Sequence, residues 1–117
     1  MQYIIKTEDA TKLRNTILTS IKGRKDPSVK EIRTWDVTTP KDSTEEVLIH
    51  TTDQWEDKGN LHLRVSKDNK EIEVYFRYWS KFPDEEHSGD EAAYLLGRFT
   101  ELFLVHFWDK TMIVEIA

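Results

Sequence analysis

Leu61-His62-Leu63-Arg64-Val65-Ser66-Lys67-Asp68-Asn69-Lys70-Glu71-Ile72-Glu73-Val74-Tyr75-Phe76-Arg77-Tyr78 is the stretch on which the fold turns. On either side of Lys67 to Lys70, apolar residues alternate with polar ones, the period of two that marks half-buried strands. Asp68 and Asn69 both tolerate a positive φ, and setting them at the centre of a two-residue turn predicts a β-hairpin. In that register Val65 faces Ile72, Leu63 faces Val74 and Leu61 faces Phe76, so the apolar residues of both strands share one side of the ribbon. The other side carries Arg64 opposite Glu73 and His62 opposite Tyr75, pairs that cross-strand proximity favours.

Upstream, Val47 and Ile49 alternate with Leu48 and His50, which predicts a third strand. Closing the connection from Thr52 to Asn60 symmetrically sets Ile49 against Leu63, Val47 against Val65 and His50 against His62. That connection, which contains Trp55, is long enough to shift the register. At the start of the chain, Gln2 to Lys6 reads as a strand and Thr7 as the N-cap of a helix whose apolar stripe is Ala10, Leu13, Ile17, Leu18 and Ile21. Gly23 is its expected stop. Arg24 to Lys30, with Pro27 and many charges, reads as a connection. Glu31 to Val37 reads as a strand whose facing the sequence leaves open.

Downstream, Ser88 and Glu91 have the spacing of a capping box. Ala92, Leu95, Leu96, Phe99, Leu102, Phe103 and His106 follow at helical spacing, so a helix of about five turns is the favoured reading. Apolar residues fill both faces of Leu102 to Trp108. A competing reading therefore ends the helix near Thr100 and pairs Leu102 to Trp108, as a strand, with Thr111 to Ile116. Met112 to Ile116 is β-rich in either case and can pair with the N-terminal strand. The order β-α-β-β-β-β-α-β predicts an α+β fold over residues 1–117, with a mainly antiparallel sheet of five to six strands, two helices on one face, and the other face turned to solvent or a partner.

Composition narrows the class. A chain of 117 residues fits one core, and 38% hydrophobic against 33% charged residues is too apolar for a disordered chain. Cysteine is absent, which excludes a disulfide framework, a thiolate metal site and a cysteine nucleophile. No run approaches the roughly 18 apolar residues of a membrane span, and Met1-Gln2-Tyr3-Ile4-Ile5-Lys6 lacks the basic-then-apolar pattern of a secretory leader. A cytoplasmic protein without membrane contact is the expectation. The net charge is −5 and the 17 basic residues are scattered, with one modest cluster from Lys22 to Lys30. That balance argues against a phosphate-neutralising face, hence against nucleic acid, and suits a basic partner.

Catalytic patterns are not found. The glycines at 23, 59, 89 and 97 are too dispersed for a phosphate loop, and no nucleophile elbow is present. The acidic cluster Asp84, Glu85, Glu86, Asp90 and Glu91, with His87 inside it, matches no calcium loop and is what a helix entry favours. No metal or cofactor is expected. In the symmetric register His50, His62 and Tyr75 form a row across three strands on the face away from the helices, surrounded by Arg64, Glu73, Arg77 and Trp79. Two adjacent imidazoles can ligate zinc, given a third ligand, or transfer protons. A polar pleated face is the plainer account, and a partner-binding surface comes next. His106 belongs to a helix stripe and reads as a core histidine. Trp35, Trp55, Trp79 and Trp108 are not all easily placed in the core by alternation, and exposed Trp, Tyr and Arg are enriched at interface hot spots.

Three function classes follow. The first is a non-catalytic protein-binding module, such as an acidic inhibitor, immunity-like or adaptor protein, that uses the outer sheet face. The second is a small-ligand binder or enzyme with a pocket between the sheet and the C-terminal helix, lined by Tyr3, Tyr78, His106 and Trp108. The third is a self-associating structural protein, a homodimer through its sheet faces or an exposed edge.

Overall fold

The structure is a computed structural model and describes residues 2–23, 34–41, 43–51, 59–78 and 90–116. Strands β1 (Gln2–Lys6), β2 (Trp35–Thr38), β3 (Val47–His50), β4 (Gly59–Val65), β5 (Glu71–Tyr78) and β6 (Ile113–Ile116) form one sheet in the order β2-β3-β4-β5-β1-β6, every pair antiparallel. Helix α1 (Ala10–Lys22) follows β1, and α2 (Asp90–His106) precedes β6. Among the described residues the order is the expected β-α-β-β-β-β-α-β of an α+β fold. Among the described residues no helix is long and apolar enough to cross a membrane.

Both helices pack on one face, the inner face. α1 buries Ala10, Leu13, Ile17, Leu18 and Ile21, and α2 buries Leu95, Leu96, Phe99, Leu102 and Phe103. These meet Tyr3 and Ile5 of β1, Leu61 and Leu63 of β4, and Ile72 and Val74 of β5 in one continuous core. Each such aliphatic or aromatic side chain stabilises the fold by roughly 1.5–3 kcal/mol. The helical reading of Leu102 onward holds through His106. Leu102 and Phe103 extend the buried stripe by one turn past Phe99, and the apolar residues of the other face, Leu104 and Val105, stand in solvent.

The β4–β5 hairpin has the expected register, with Val65↔Ile72, Leu63↔Val74, Leu61↔Phe76, Arg64↔Glu73 and His62↔Tyr75. Its turn is built differently. The Asn69 amide donates to the Ser66 carbonyl, so Lys67 and Asp68 are the central residues, and Asn69 alone, at φ 60°, takes the left-handed conformation. The four-residue loop is as symmetric as the two-residue one would be, which is why the register survives. Ser66 Oγ donates to Asp68 Oδ1 and accepts from the Glu71 amide, tying the loop to itself.

This turn also docks on the start of α1. The Ala10 amide donates to the Asn69 carbonyl, the Thr11 amide and hydroxyl donate to Asn69 Oδ1, and Asn69 Nδ2 donates to Asp9 Oδ1. Asp9, not Thr7, is the N-cap: its side chain takes the Lys12 amide, while Thr7, whose amide donates to the Lys70 carbonyl, still continues the β1–β5 ladder. With Leu13 donating to the Asp9 carbonyl, the first four amides of α1 all have partners, two of them in the hairpin. Gly23 ends α1 as expected. The Ser88–Glu91 capping box lies outside the described residues.

β2 gives the facing that the sequence left open, with Glu31 to Arg33 outside the described residues, and β3 corrects the expected register. The described strand is Trp35–Thr38, and Trp35↔His50 and Val37↔Leu48 put Trp35 and Val37 on the inner face, where Trp35 is buried against Phe99. β3 meets β4 at Leu48↔Leu61, three residues away from the symmetric register. β4 begins at Gly59, so the connection is shorter than Thr52 to Asn60. An odd shift reverses the facing of a whole strand. Leu48 and His50 therefore point inward, and Val47 and Ile49 outward.

Past Leu48 the β3–β4 ladder opens, and Arg14 of α1 fills the gap. Its Nε donates to the Leu63 carbonyl at 2.9 Å and its guanidinium reaches the Glu46 carbonyl at 3.4 Å. Those two carbonyls face each other in the Leu48↔Leu61 register, so one cation replaces a ladder bond. Lys22 also pairs with Glu46. At the head of β4, Gly59 is required by close approach, since a methyl group there would fall inside contact distance of the Phe76 ring and the Arg77 carbonyl.

Candidate functional site

Five of the seven residues expected on the outer face are there together: His62 and Arg64 of β4, and Glu73, Tyr75 and Arg77 of β5. The His62 and Tyr75 rings stack at 4.9 Å, 17° from parallel. The Arg64 guanidinium lies 5.3 Å from the centre of the Tyr75 ring and bonds Glu73 at 3.0 Å. Arg77, one pleat further along β5, is exposed. Trp79 lies outside the described residues.

His50 does not join them. The shifted register turns it to the inner face, where it meets Trp35 edge-on at 5.0 Å and Tyr94 of α2 at 6.0 Å. Burial pushes its imidazole below the ordinary pKa, and the Arg98 charge adds to the effect. The expected two-histidine row is thus split by the sheet itself. Among the described residues no group of three His, Cys, Asp or Glu side chains could hold a metal ion.

Asn60 and Val47, both outside the expected set, take the places beside His62. Val47 is 1% exposed, Asn60 3% and His62 5%, so this part of the outer face is closed to solvent. Glu45 stands at its rim, with one carboxylate oxygen 3.9 Å from His62 Nδ1, an ion-pair distance too long for a hydrogen bond. Among the described residues neither His62 Nδ1 nor Asn60 Oδ1 has a hydrogen-bond partner. Burial holds the His62 imidazole below its ordinary pKa, the Glu45 carboxylate opposes this, and Arg77 and Arg64 add to it, so the ring is neutral near pH 7. Asn60 was legible in principle, because the alternation His62, Arg64 extended one step back reaches it.

The cleft expected between sheet and C-terminal helix is filled by Phe99, Phe103 and their neighbours. Tyr3 is buried there, and burial raises its hydroxyl pKa far above the ordinary value. Trp108, beyond the helix, is exposed and donates its indole N–H to the Met112 carbonyl. Tyr3 and Trp108 thus do not line a common pocket. Among the described residues an open groove of about 610 Å³ runs along the polar stripe of α1, from Asp9 and Lys12 to Ser20.

The arrangement offers hydrogen bonding, stacking and charge but no nucleophile paired with a base. Comparisons with protein families, with curated proteins and with solved structures found no match.

Proposed function

We propose that this protein is a protein-binding module whose contact surface is the outer face of β4 and β5, centred on Tyr75 and the exposed Arg64 and Arg77 beside the buried His62. One observation supports this above the others. Among the described residues, two buried polar atoms, His62 Nδ1 and Asn60 Oδ1, lack hydrogen-bond partners beside a surface that presents Tyr75, Arg77 and Glu45. Leaving a buried polar atom unsatisfied costs about 1–3 kcal/mol, and tyrosine and arginine are the side chains that most often anchor interfaces. A partner that sets a lysine or arginine beside Glu45 pairs with its carboxylate and brings donors toward Asn60. The net charge of −5 favours the same basic partner.

The test is capture from a lysate of the source organism on immobilised wild type, Glu45→Lys, Tyr75→Ala and, on the far side of the molecule, Lys12→Ala, each checked for folding by circular dichroism. A protein retained by wild type and Lys12→Ala but lost from the other two supports the reading. Equal retention by all four, or no specific retention, defeats it.

A further inference from the structure

The two edges of the sheet differ, and the difference points to a partner for one of them. At the β2 edge, the Thr51 amide donates to the Thr34 carbonyl, which fixes the alternation of the β2–β3 ladder. Asp36 and Thr38 turn their backbone groups toward β3, and Trp35 and Val37 turn theirs outward. The outward Val37 amide is already taken by Asp36 Oδ1 at 2.8 Å. A carboxylate on an edge strand that caps its own neighbour blocks an incoming strand.

The β6 edge has no such device. The Thr7 amide donates to the Lys70 carbonyl, so Tyr3, Ile5 and Thr7 turn their backbone groups to β5, and Ile4 and Lys6 turn theirs to β6. Opposite Ile4 and Lys6 lie Glu115 and Ile113. The backbone groups of Val114 and Ile116 therefore face out of the sheet. Among the described residues, the exposed large apolar side chains are Leu104, Val105, Trp108, Ile113 and Ile116, and two of them stand on β6 itself, Ile113 56% and Ile116 84% exposed. The one charge on the strand, Glu115, is matched by Lys6 at 3.1 Å.

We propose that β6 pairs antiparallel with β6 of a second copy of this chain, about a two-fold axis through Val114, to make one twelve-stranded sheet. An open edge whose one charge is already matched is a template for another strand. A head-to-tail contact between β6 and β2 is blocked at Asp36, which leaves the self-complementary pairing that closes as a dimer. The register follows from the same residues. Centring on Glu115 would set that carboxylate against its own copy, which is destabilising. Centring on Ile113 would require the Met112 amide and carbonyl, which are held by the Asp109 carbonyl and the Trp108 indole. Centring on Val114 avoids the first, and its central pair of bonds needs only the Val114 groups, so Met112 can keep its bonds to Asp109 and Trp108. The Val114 amides and carbonyls then bond each other across the axis, and Ile116 of each copy lies opposite Met112 of the other.

The chain has no cysteine, so a single introduced one reports on the junction alone. Opposed residues in a hydrogen-bonded antiparallel pair have Cα atoms about 5.5 Å apart, within disulfide reach. The experiment measures the mass of the full chain by sedimentation from micromolar to near-millimolar concentration, for wild type and for Ile113→Lys/Ile116→Lys, and oxidises Val114→Cys and Thr19→Cys side by side. The expected results are a wild-type mass that rises from 13.9 kDa toward twice that value, a double variant that stays monomeric with an unchanged circular dichroism spectrum, and a disulfide-linked dimer from Val114→Cys but not from Thr19→Cys. A wild-type monomer throughout overturns the proposal, as does a dimer that survives the double lysine substitution or fails to cross-link at position 114.

Discussion

Strand β4 has two neighbours and is joined to them by different means. Toward β5 it runs a full ladder from Gly59↔Tyr78 to Val65↔Ile72, closed by a four-residue loop that bonds to itself and to α1. Toward β3 it meets its partner at Leu48↔Leu61, and beyond that point the strands are held by the guanidinium of Arg14 across two carbonyls. The first junction is local and made by backbone. The second is made by a side chain from another layer, and it holds only when α1 is in place. A sheet can therefore be continuous in topology and uneven in what secures it.

Substitutions at three positions and one change of pH test that contrast, beginning with the largest effect. Gly59→Val forces a branched side chain into the space held by the Phe76 ring and the Arg77 carbonyl, and overpacking of this kind costs roughly 3 kcal/mol. A urea midpoint within experimental error of wild type would contradict the close approach at the head of β4. Arg14→Met keeps the apolar stem of the side chain but leaves the Leu63 carbonyl without its donor, at a cost of about 1–3 kcal/mol. Hydrogen exchange should then quicken in β3 and leave the β4–β5 amides protected. Uniform loss of protection would mean that the two junctions are equally secured.

The turn gives a smaller and more graded response. Asn69→Ala loses the bonds to Thr11 and Asp9 and strains the positive φ, for a loss of roughly 1–2 kcal/mol in thermal or urea unfolding. Asn69→Gly loses the same bonds without the strain and should fall between Ala and wild type. The reverse order of the two variants would show that the backbone conformation contributes nothing. The pH effect is the smallest. Burial lowers the pKa of both His50 and His62. The unfolded chain therefore takes up protons first as the pH falls below about 6.5, and the stability that the neutral rings contribute is present above that pH and lost as it falls toward the folded-state values. Urea midpoints at pH 7.5 and 5.5 should drop for wild type and drop less for His62→Gln. Equal drops would remove His62 from the account.

These junctions also explain what could be read in advance. Alternation plus a short symmetric loop fixes the β4–β5 register whichever turn closes it, so His62, Arg64, Glu73, Tyr75 and Arg77 were placed on one face from sequence. β3 gives no such signal. Val47, Leu48 and Ile49 are three apolar residues in a row, and either facing buries some of them. The choice was made by distant contacts, Trp35 and Val37 beside Leu48 and His50, and by a connection whose length no local rule sets. His50 went to the wrong side for that reason. Thr7 and Asp9 are both good capping residues, and what separates them is that Thr7 still continues the β1–β5 ladder. The stripe of α2 was legible, but the solvent exposure of Leu104 and Val105 was not, because an apolar side chain without a neighbour looks the same in sequence as one with a neighbour.

The docking of the hairpin tip on α1 bears on the order in which the chain folds. A 13-residue helix is marginal on its own in water, and Asn69, which holds two of its first amides, lies 58 residues away from Thr11 in the chain. Closing so long a loop is entropically costly and slow, whereas the β4–β5 hairpin closes four residues. The hairpin can form early and α1 is completed against it, so the first helix in the sequence is among the later elements to become stable. A destabilising change at Asp9, which belongs to the helix side of the contact, should accordingly speed unfolding more than it slows folding.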